Sequence, residues 1–262
     1  MKPDYSRISI ALTEPEVQGN IGAVARVMKN TNFSNLILVG QSFLDDDAYA
    51  RAKEASTFLD GCKYYESVSN LRKDFDIIVG TSSVTSRNLK DYRRIPVKPD
   101  YFWSNYYDPS MTTCILLGRE GDGLRNHELE LCDFFITIPG SEIYPIYNLS
   151  HAAAIIMYEG MKLESVDFPG KERASGEEMG ILVDRIIEIS QKVNFPVHKI
   201  PSTRVMLRRL FSRAALSGSE YHRIMGILRK IDLASVDINH QSNIDLAKTE
   251  LIDEIRRNIK DK

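Results

Sequence analysis

The sequence predicts an α/β domain built on a mostly parallel sheet, followed by a small all-α domain. In roughly the first two thirds of the chain, short apolar runs alternate with helical patterns, the order expected of strand–helix–strand units. After a charged linker with Pro169 and Gly170, four helical patterns follow with no strand between them. We therefore place a domain boundary near residue 172, with a sheet domain over 1–171 and a helical domain over 172–262.

Five apolar runs read as buried strands, at residues 7–12, 35–39, 75–79, 114–117 and 134–138. Helical patterns separate or follow them at 21–29, 46–59 and 149–163, and Asn20 is the expected N-cap of the first. The helical domain is expected to contain helices at 179–193, 204–216, 220–233 and 244–259. Short arginine-rich helices joined by a tight turn fit a nucleic-acid module and equally a dimerisation element.

The composition is typical of a globular protein, with 262 residues, 43% apolar and 27% charged. There is no apolar signal-peptide core at the N-terminus and no apolar run of the roughly 18 residues that span a membrane, so we expect no membrane contact and a cytoplasmic location. Cys62, Cys114 and Cys132 form no CxxC pair, and the histidines have no HxxxH spacing. We therefore expect no disulfide framework and no metal site.

The net charge of −2 argues against a nucleic-acid binder, but its distribution is uneven. Residues 81–99 hold five basic side chains against one acidic, and residues 199–230 hold eight against one. These two basic segments are either phosphate-facing surfaces or ordinary solvated faces, and charge alone does not distinguish them.

A glycine-rich loop follows the fourth predicted strand, with glycines at 118, 121 and 123. Their spacing is not G-x-G-x-x-G, and no P-loop occurs in the chain, so a dinucleotide or phosphate loop is disfavoured. Glycines still let the backbone approach a ligand closely. Because Glu120 and Asp122 would repel a phosphate, the loop favours a ligand with a positive centre or hydrogen-bond donors, such as S-adenosylmethionine.

Arg26 lies within the first predicted helix, and a surface arginine is the simplest interpretation of that position. However, Asn20 and Gly22 give the helix a polar, open start where an anion can sit. Arg26 is therefore also a candidate for binding a phosphate with its fork of donors.

Three segments together resemble the SPOUT class of RNA methyltransferases, in its ribose 2'-O-methylating branch. They are 20–26, which matches N-x-G-x-x-A-R, then 117–124 continuing to Ile138-Pro139, and 147–152. The resemblance covers roughly residues 7–163 and is closest to the TrmJ family, which methylates tRNA cytidine or uridine at anticodon-loop position 32. The helical domain resembles that of the family only in length and class.

The resemblance implies a trefoil knot at the C-terminal end of the sheet domain, a homodimer with its site near the interface, and S-adenosylmethionine as cofactor. Three loops and a strand end would hold the cofactor. The residues implied are Thr81, Ser82, Leu117, Gly118, Glu120, Gly121, Gly123, Leu124, Ile138, Pro139, Tyr147, Asn148, Leu149 and Ser150.

The resemblance also implies catalytic roles for Arg26, Asn20, Glu120 and Asn148. A guanidinium is effectively always protonated, so we interpret Arg26 as a group that positions phosphate and hydroxyl rather than as a base. Some family members carry serine where this chain has Ile146, so any role of that serine is absent here.

The expected partner is tRNA. Its contacts are expected at Arg87, Arg93 and Arg94 in the first basic segment, and at Arg204, Arg208 and Arg209 in the second. The alternatives are a 2'-O-methyltransferase of another tRNA or rRNA site, or a non-catalytic RNA-binding protein of the same fold.

Overall fold

The computed structural model describes residues 5–82, 96–163 and 173–233. Its centre is a seven-stranded sheet in which every paired strand is parallel. The strands are β1 (Ile8–Thr13), β2 (Asn35–Val39), β3 (Lys63–Tyr65), β4 (Ile77–Thr81), β5 (Pro96–Val97), β6 (Thr113–Leu117) and β7 (Phe134–Ile136). Their order across the sheet is β3-β2-β1-β6-β4-β7-β5. The prediction of a parallel α/β sheet is therefore confirmed.

Helices cover both faces of the sheet. They are α1 (Gln18–Thr31), α2 (Asp46–Ala52), α3 (Ser56–Asp60), α4 (Val68–Leu71), α5 (Pro99–Asn105), α6 (Asn126–Leu129) and α7 (Leu149–Met161). Alternate residues of a strand point to opposite faces, so Leu12 packs with α1, α5 and α7 while Ala11 packs with α4 and α6. Two separate cores therefore hold the sheet, and its central strands are buried on both faces.

The structure differs from the sequence predictions in several elements. α1 begins at Gln18 with Val17 at the N-cap position, so the prediction that Asn20 caps this helix was wrong. The predicted helix over 46–59 is broken at Lys53, whose φ of 53° is incompatible with a continuous helix. The short elements β3, β5, α4 and α5 were not predicted, because elements of two to seven residues carry little periodicity.

Beyond residue 172 the described chain is helical, with α8 (Gly176–Lys192), α9 (Ile200–Ala214) and a further helix, α10, over residues 218–233. α8 begins with a capping box, in which Ser175 and Glu178 satisfy each other's backbone amides. Leu182 and Tyr221 form the small core of these helices. The helix predicted over 244–259 lies outside the described residues.

The C-terminal helices attach to the end of the sheet at which the strands begin. The amide of Gly176 donates to Asp76 Oδ1 at 2.8 Å, just before β4. Arg173 pairs with Asp108 at 2.7 Å, and Arg209 binds the carbonyls of Leu129 and Cys132 before β7. Within the described residues, these helices make no such anchoring contact at the opposite end of the sheet, where the strands end.

Candidate active site

A cleft opens where β4, β6 and β7 end, the edge at which parallel sheets bind their ligands. Eleven of the fourteen residues predicted to hold the cofactor line the cleft: Thr81, Ser82, Leu117, Gly118, Glu120, Gly121, Gly123, Leu124, Ile138, Tyr147 and Leu149. Pro139, Asn148 and Ser150 are outside this lining, although the Pro139 carbonyl accepts a hydrogen bond from Tyr147 Oη at 3.1 Å.

The lining also contains six residues that are not among those fourteen. They are Arg119, Asp122, Ile136, Pro145, Ile146 and Ala152. Ile146 occupies the position where some family members have serine, so an apolar side chain meets the cleft here. Ile136 ends β7, and no motif marked it. Ala152 lies on α7 and ends the 147–152 motif, but no contact with the cofactor was assigned to it.

The glycine loop at 118–124 is closed by its own backbone. Arg119 and Gly123 exchange two hydrogen bonds, of 3.3 and 3.0 Å. A Cβ atom on Gly118 would lie 2.2 Å from the backbone carbon of Gly123, so no other residue fits this position without moving the loop. Gly123 adopts a φ of +67°, which also favours glycine. The sequence thus commits the backbone to a tight loop against the cleft.

Arg119 is buried behind this loop between two carboxylates. Its guanidinium donates to Glu14 at 2.8 Å and to both oxygens of Glu128 at 3.0 and 2.9 Å. The hydrogen bond from Arg119 lowers the pKa of Glu14. Burial would raise the pKa of Glu128, but the bonds from Arg119 and from the Arg125 amide outweigh it, so that pKa is lowered. The three groups are therefore all charged at neutral pH.

Three of the predicted catalytic residues meet in one hydrogen-bond chain. Glu120 accepts bonds from the amides of Glu16 at 2.9 Å and Val17 at 3.3 Å, and from Asn20 Nδ2 at 2.7 Å. Asn148 Nδ2 donates to Asn20 Oδ1 at 3.1 Å, and Asn148 caps α7 through the Ser150 amide at 2.9 Å. This series of hydrogen bonds joins the glycine loop, the start of α1 and the start of α7.

Arg26, the fourth predicted catalytic residue, does not take part in this series of hydrogen bonds within a single polypeptide. It is exposed on α1, does not line the cleft, and has no hydrogen-bond or ion-pair partner in the part of the chain that the structure describes. Its guanidinium is therefore available to a ligand or to another molecule.

The chemistry of the cleft fits S-adenosylmethionine. Leu117, Leu124 and Ile138 provide apolar surface for a flat base, and the glycine loop offers backbone groups at close range. Glu120 and Asp122 provide negative charge for a sulfonium. Among the described residues, Arg119 is the one basic side chain in the lining, and its charge is already matched by Glu14 and Glu128, which makes this part of the cleft a poor phosphate site.

The residues predicted to bind RNA fall into different environments. Arg87, Arg93 and Arg94 lie outside the described residues. Arg204 is half-exposed and pairs with Asp184. Arg208 is partly buried, and this burial lowers its pKa. Arg209 is only 5% exposed and stacks over the Phe135 ring at 4.6 Å, so its guanidinium faces the sheet rather than solvent.

Within the described residues no group of three or more metal-binding side chains occurs. No helix among them has the length and apolarity needed to cross a membrane.

Comparison with known proteins identifies the family. Residues 7–158 match the profile described as "SpoU rRNA Methylase family". The chain is 36% identical over 230 residues to the tRNA (cytidine-2'-O-)-methyltransferase TrmJ of Methanocaldococcus jannaschii, covering 85% of this chain and 98% of that protein. It is 28% identical over 268 residues to the tRNA (cytidine/uridine/adenosine-2'-O-)-methyltransferase TrmJ of Pseudomonas aeruginosa, covering 91% and 99%.

Solved structures have the same fold. The crystal structure of TrmJ from Z. mobilis superposes with a TM-score of 0.67 at 23% identity, covering 86% of this chain and 98% of that one. A probable methylase family protein from Haemophilus influenzae gives a TM-score of 0.59 at 25% identity, covering 90% and 100%.

These matches confirm the predicted resemblance, the predicted methyltransferase activity and the predicted cofactor, S-adenosylmethionine. Because the family profile matches more than half of the chain and a 36% identical relative is covered almost end to end, the chain belongs to the SpoU methylase family and is a methyltransferase.

Proposed function

We propose that the protein transfers the methyl group of S-adenosylmethionine to the ribose 2'-hydroxyl of a tRNA pyrimidine, cytidine or uridine, at anticodon-loop position 32. The observation that carries this proposal is the Glu120–Asn20–Asn148 chain, which joins the cofactor cleft to the helix that bears Arg26. The M. jannaschii relative is named for cytidine, and the P. aeruginosa relative for cytidine, uridine and adenosine. A pyrimidine is common to both names.

S-adenosylmethionine supplies a methyl group already activated by its sulfonium. The protein therefore has mainly to position the acceptor for in-line attack. Asn20, Glu120 and Asn148 fix the edge of the cleft, while the free guanidinium of Arg26 binds a phosphate next to the target and stabilises charge that develops on the 2'-oxygen. Arg26 stays protonated throughout, so it positions and stabilises rather than accepting the proton.

We propose that the active unit is a homodimer with its site near the interface. Asn20 and Arg26 are six positions apart on α1, so their side chains point about 120° apart and lie about 9 Å apart along the axis. Asn20 donates a hydrogen bond to Glu120, which lines the cleft of its own chain, whereas Arg26 neither lines that cleft nor bonds to a residue that does. Arg26 of a second copy is what completes the site. The exposed Tyr158 and Met161 of α7 give such a contact apolar surface.

We further propose that the sheet domain, residues 1–171, ends in a trefoil knot. The path of the chain supports it: after β7 at one side of the sheet, residues 145–149 lie against the glycine loop after β6, and α7 then packs on α1. The chain thus passes over the ends of intervening strands before its last helix. Ordinary folds avoid knots, so a knot here would be one of the few exceptions to the usual topology rules.

The helical domain, residues 172–262, is proposed to hold the tRNA away from the cleft. Arg87, Arg93, Arg94 and Arg204 are the proposed phosphate contacts, together with the exposed Arg213, Arg223 and Arg229 of α9 and α10. A tRNA substrate also implies that the enzyme acts in the cytoplasm.

The test is incubation of the purified protein with total RNA and S-adenosylmethionine carrying an isotopically labelled methyl group, followed by mapping of the methylated nucleotide by mass spectrometry. We expect label on the ribose of position 32 of tRNA. Label in rRNA would favour the alternative that the family description suggests. Absence of label with a folded protein that binds RNA would favour a non-catalytic RNA-binding protein.

A further inference from the structure

The loop that lines the cofactor cleft is attached to the protein by two neighbouring side chains that point in different directions. Glu120 binds the start of α1, as described above. Arg119 points inward and is only 6% exposed. Its guanidinium binds three different parts of the chain: Glu14 after β1, Glu128 on α6, and the Gly123 carbonyl of the loop itself at 3.2 Å.

We propose that Glu14, Arg119 and Glu128 form a positioning clamp that holds the glycine loop in the shape needed to bind S-adenosylmethionine. This inference rests on the proposed function only in taking the cleft as the cofactor site. Glu14 and Glu128 are outside the lining of the cleft. The guanidinium of Arg119 is held by these two carboxylates and by the Gly123 carbonyl, so Arg119 acts through the loop and not by touching the reacting atoms.

The geometry of the loop makes a clamp effective. Gly118 leaves no space between the two arms of the loop, because even a methyl group would lie 2.2 Å from Gly123. Gly121 and Gly123 give the tip little stiffness of its own, and a Cβ on Gly123 would meet nothing within 4 Å. The position of the backbone that faces the cleft therefore depends on what holds Arg119 from behind.

The clamp is buried, so it can fix the position of the loop in a way that an exposed surface ion pair cannot. The side chains of Arg119 and Glu128 are 4% and 5% exposed, and each oxygen of Glu128 receives its own guanidinium nitrogen. Glu128 Oε2 also accepts the Arg125 amide at 2.6 Å, which closes the other end of the loop. A planar, bidentate fork is required for these contacts, and lysine cannot reproduce it.

The experiment measures S-adenosylmethionine binding directly by calorimetry, so it does not depend on which RNA is the substrate. Arg119→Lys keeps the positive charge but removes the planar guanidinium that binds both oxygens of Glu128. We expect it to bind the cofactor about tenfold more weakly, while at saturating cofactor its methylation rate stays within about threefold of wild type. The matched control is Arg173→Lys, which makes the same change in a partly buried arginine–carboxylate pair at the opposite end of the sheet, where the strands begin. We expect it to bind cofactor as wild type does.

The outcomes are distinguishable. If Arg119→Lys loses thermal stability as Arg173→Lys does but binds S-adenosylmethionine within twofold of wild type, the residue is only structural and the proposal is overturned. If Arg119→Lys does not fold, Glu14→Gln decides, since it weakens the half-exposed side of the clamp and leaves Arg119 paired with Glu128. About fivefold weaker binding by Glu14→Gln supports the clamp, and unchanged binding rejects it. A wild-type protein that binds no S-adenosylmethionine would instead refute the proposed function itself.

Discussion

The side-chain amide of Asn148 donates a hydrogen bond of 3.1 Å to the side-chain oxygen of Asn20, which lies 128 residues earlier in the chain. The oxygen of the same Asn148 side chain caps α7 by accepting the Ser150 amide. One residue therefore both starts a helix and joins that helix to α1. The two tasks use different atoms, so substitutions can separate them.

Asn148→Ser should keep the cap and lose the link to Asn20, because serine is a good N-cap but too short to span the second contact. We expect stability within about 0.5 kcal/mol of wild type and methylation reduced at least about tenfold. Asn148→Ala should lose both, with about 1 kcal/mol of stability lost as well. Urea unfolding and methylation assays on the two variants measure this difference. Equal activity of Asn148→Ser and wild type would remove the link from the proposed mechanism.

Arg26→Ala should abolish methylation and leave S-adenosylmethionine binding unchanged, because Arg26 is exposed and does not line the cleft of its own chain. The proposed dimer makes a sharper prediction. Ile138→Trp fills the cleft with an indole and should block cofactor binding, yet leave Arg26 intact.

Co-expression of Arg26→Ala and Ile138→Trp chains should then restore activity. Random pairing makes about half of the dimers mixed. If the arginine comes from the second copy, each mixed dimer has one complete site out of two. About a quarter of wild-type activity is therefore expected. Each variant alone should be inactive, and thermal unfolding must show both to be folded. An inactive mixture of proven mixed dimers would mean that Arg26 serves its own chain.

Gly118→Ala should disrupt the cleft, since the new methyl group would lie 2.2 Å from the backbone of Gly123. Gly121→Ala is the matched control in the same loop, because its methyl group would meet only Glu16, at an ordinary 3.6 Å. We expect a loss of S-adenosylmethionine affinity of more than about 100-fold for the first, and less than about threefold for the second. Calorimetric titration distinguishes them. Similar affinities for both would show that the loop adapts freely.

The elements that were predicted from the sequence are those with long apolar runs. β1, β2 and β6 are buried on both faces, so most of their residues are apolar and form short runs that are easily recognised. β3 was missed because it lies at the edge of the sheet with Lys63 and Tyr64 exposed. Its strand conformation is set by pairing with β2, which local sequence does not encode.

The site could be predicted only in part for a related reason. Motif resemblance led to Asn20, Glu120 and Asn148, and the structure brings them together. The pairing of Arg119 with Glu14 joins residues 105 positions apart, and charged side chains are normally expected on the surface, so no pattern marked it. Arg209 was predicted to bind RNA from its charge, whereas its burial depends on how α9 packs on the sheet.

The buried Glu128 should make stability depend on pH. Its pKa in the folded protein lies below the ordinary value of 4.5, so its contribution is fully present above about pH 4.5 and is lost as the pH falls through the lower, folded pKa. Glu128→Gln should cost about 2 kcal/mol at pH 7, because charged hydrogen bonds to Arg119 are lost. Between pH 5 and pH 3.5, the free energy of unfolding of the Glu128→Gln variant should then fall less than that of wild type. Urea unfolding at the three pH values tests this, and parallel pH profiles of the two proteins would contradict it.

Arg209 and Arg213 lie on the same helix and should behave in opposite ways. Arg209 binds the carbonyls of Leu129 and Cys132 and stacks on Phe135, so Arg209→Met should destabilise the protein by about 1–3 kcal/mol by leaving those carbonyls unpaired. Its effect on tRNA affinity should be small, since the guanidinium does not face solvent.

Arg213 is exposed, so Arg213→Ala should leave stability within about 0.5 kcal/mol and weaken tRNA binding several-fold, with a shallower dependence on salt. Urea unfolding and filter binding at several salt concentrations measure both quantities. If Arg209→Met weakened tRNA binding more than Arg213→Ala while remaining fully stable, the assignment of Arg209 to the contact with the sheet would be wrong, because a side chain held there cannot reach a phosphate.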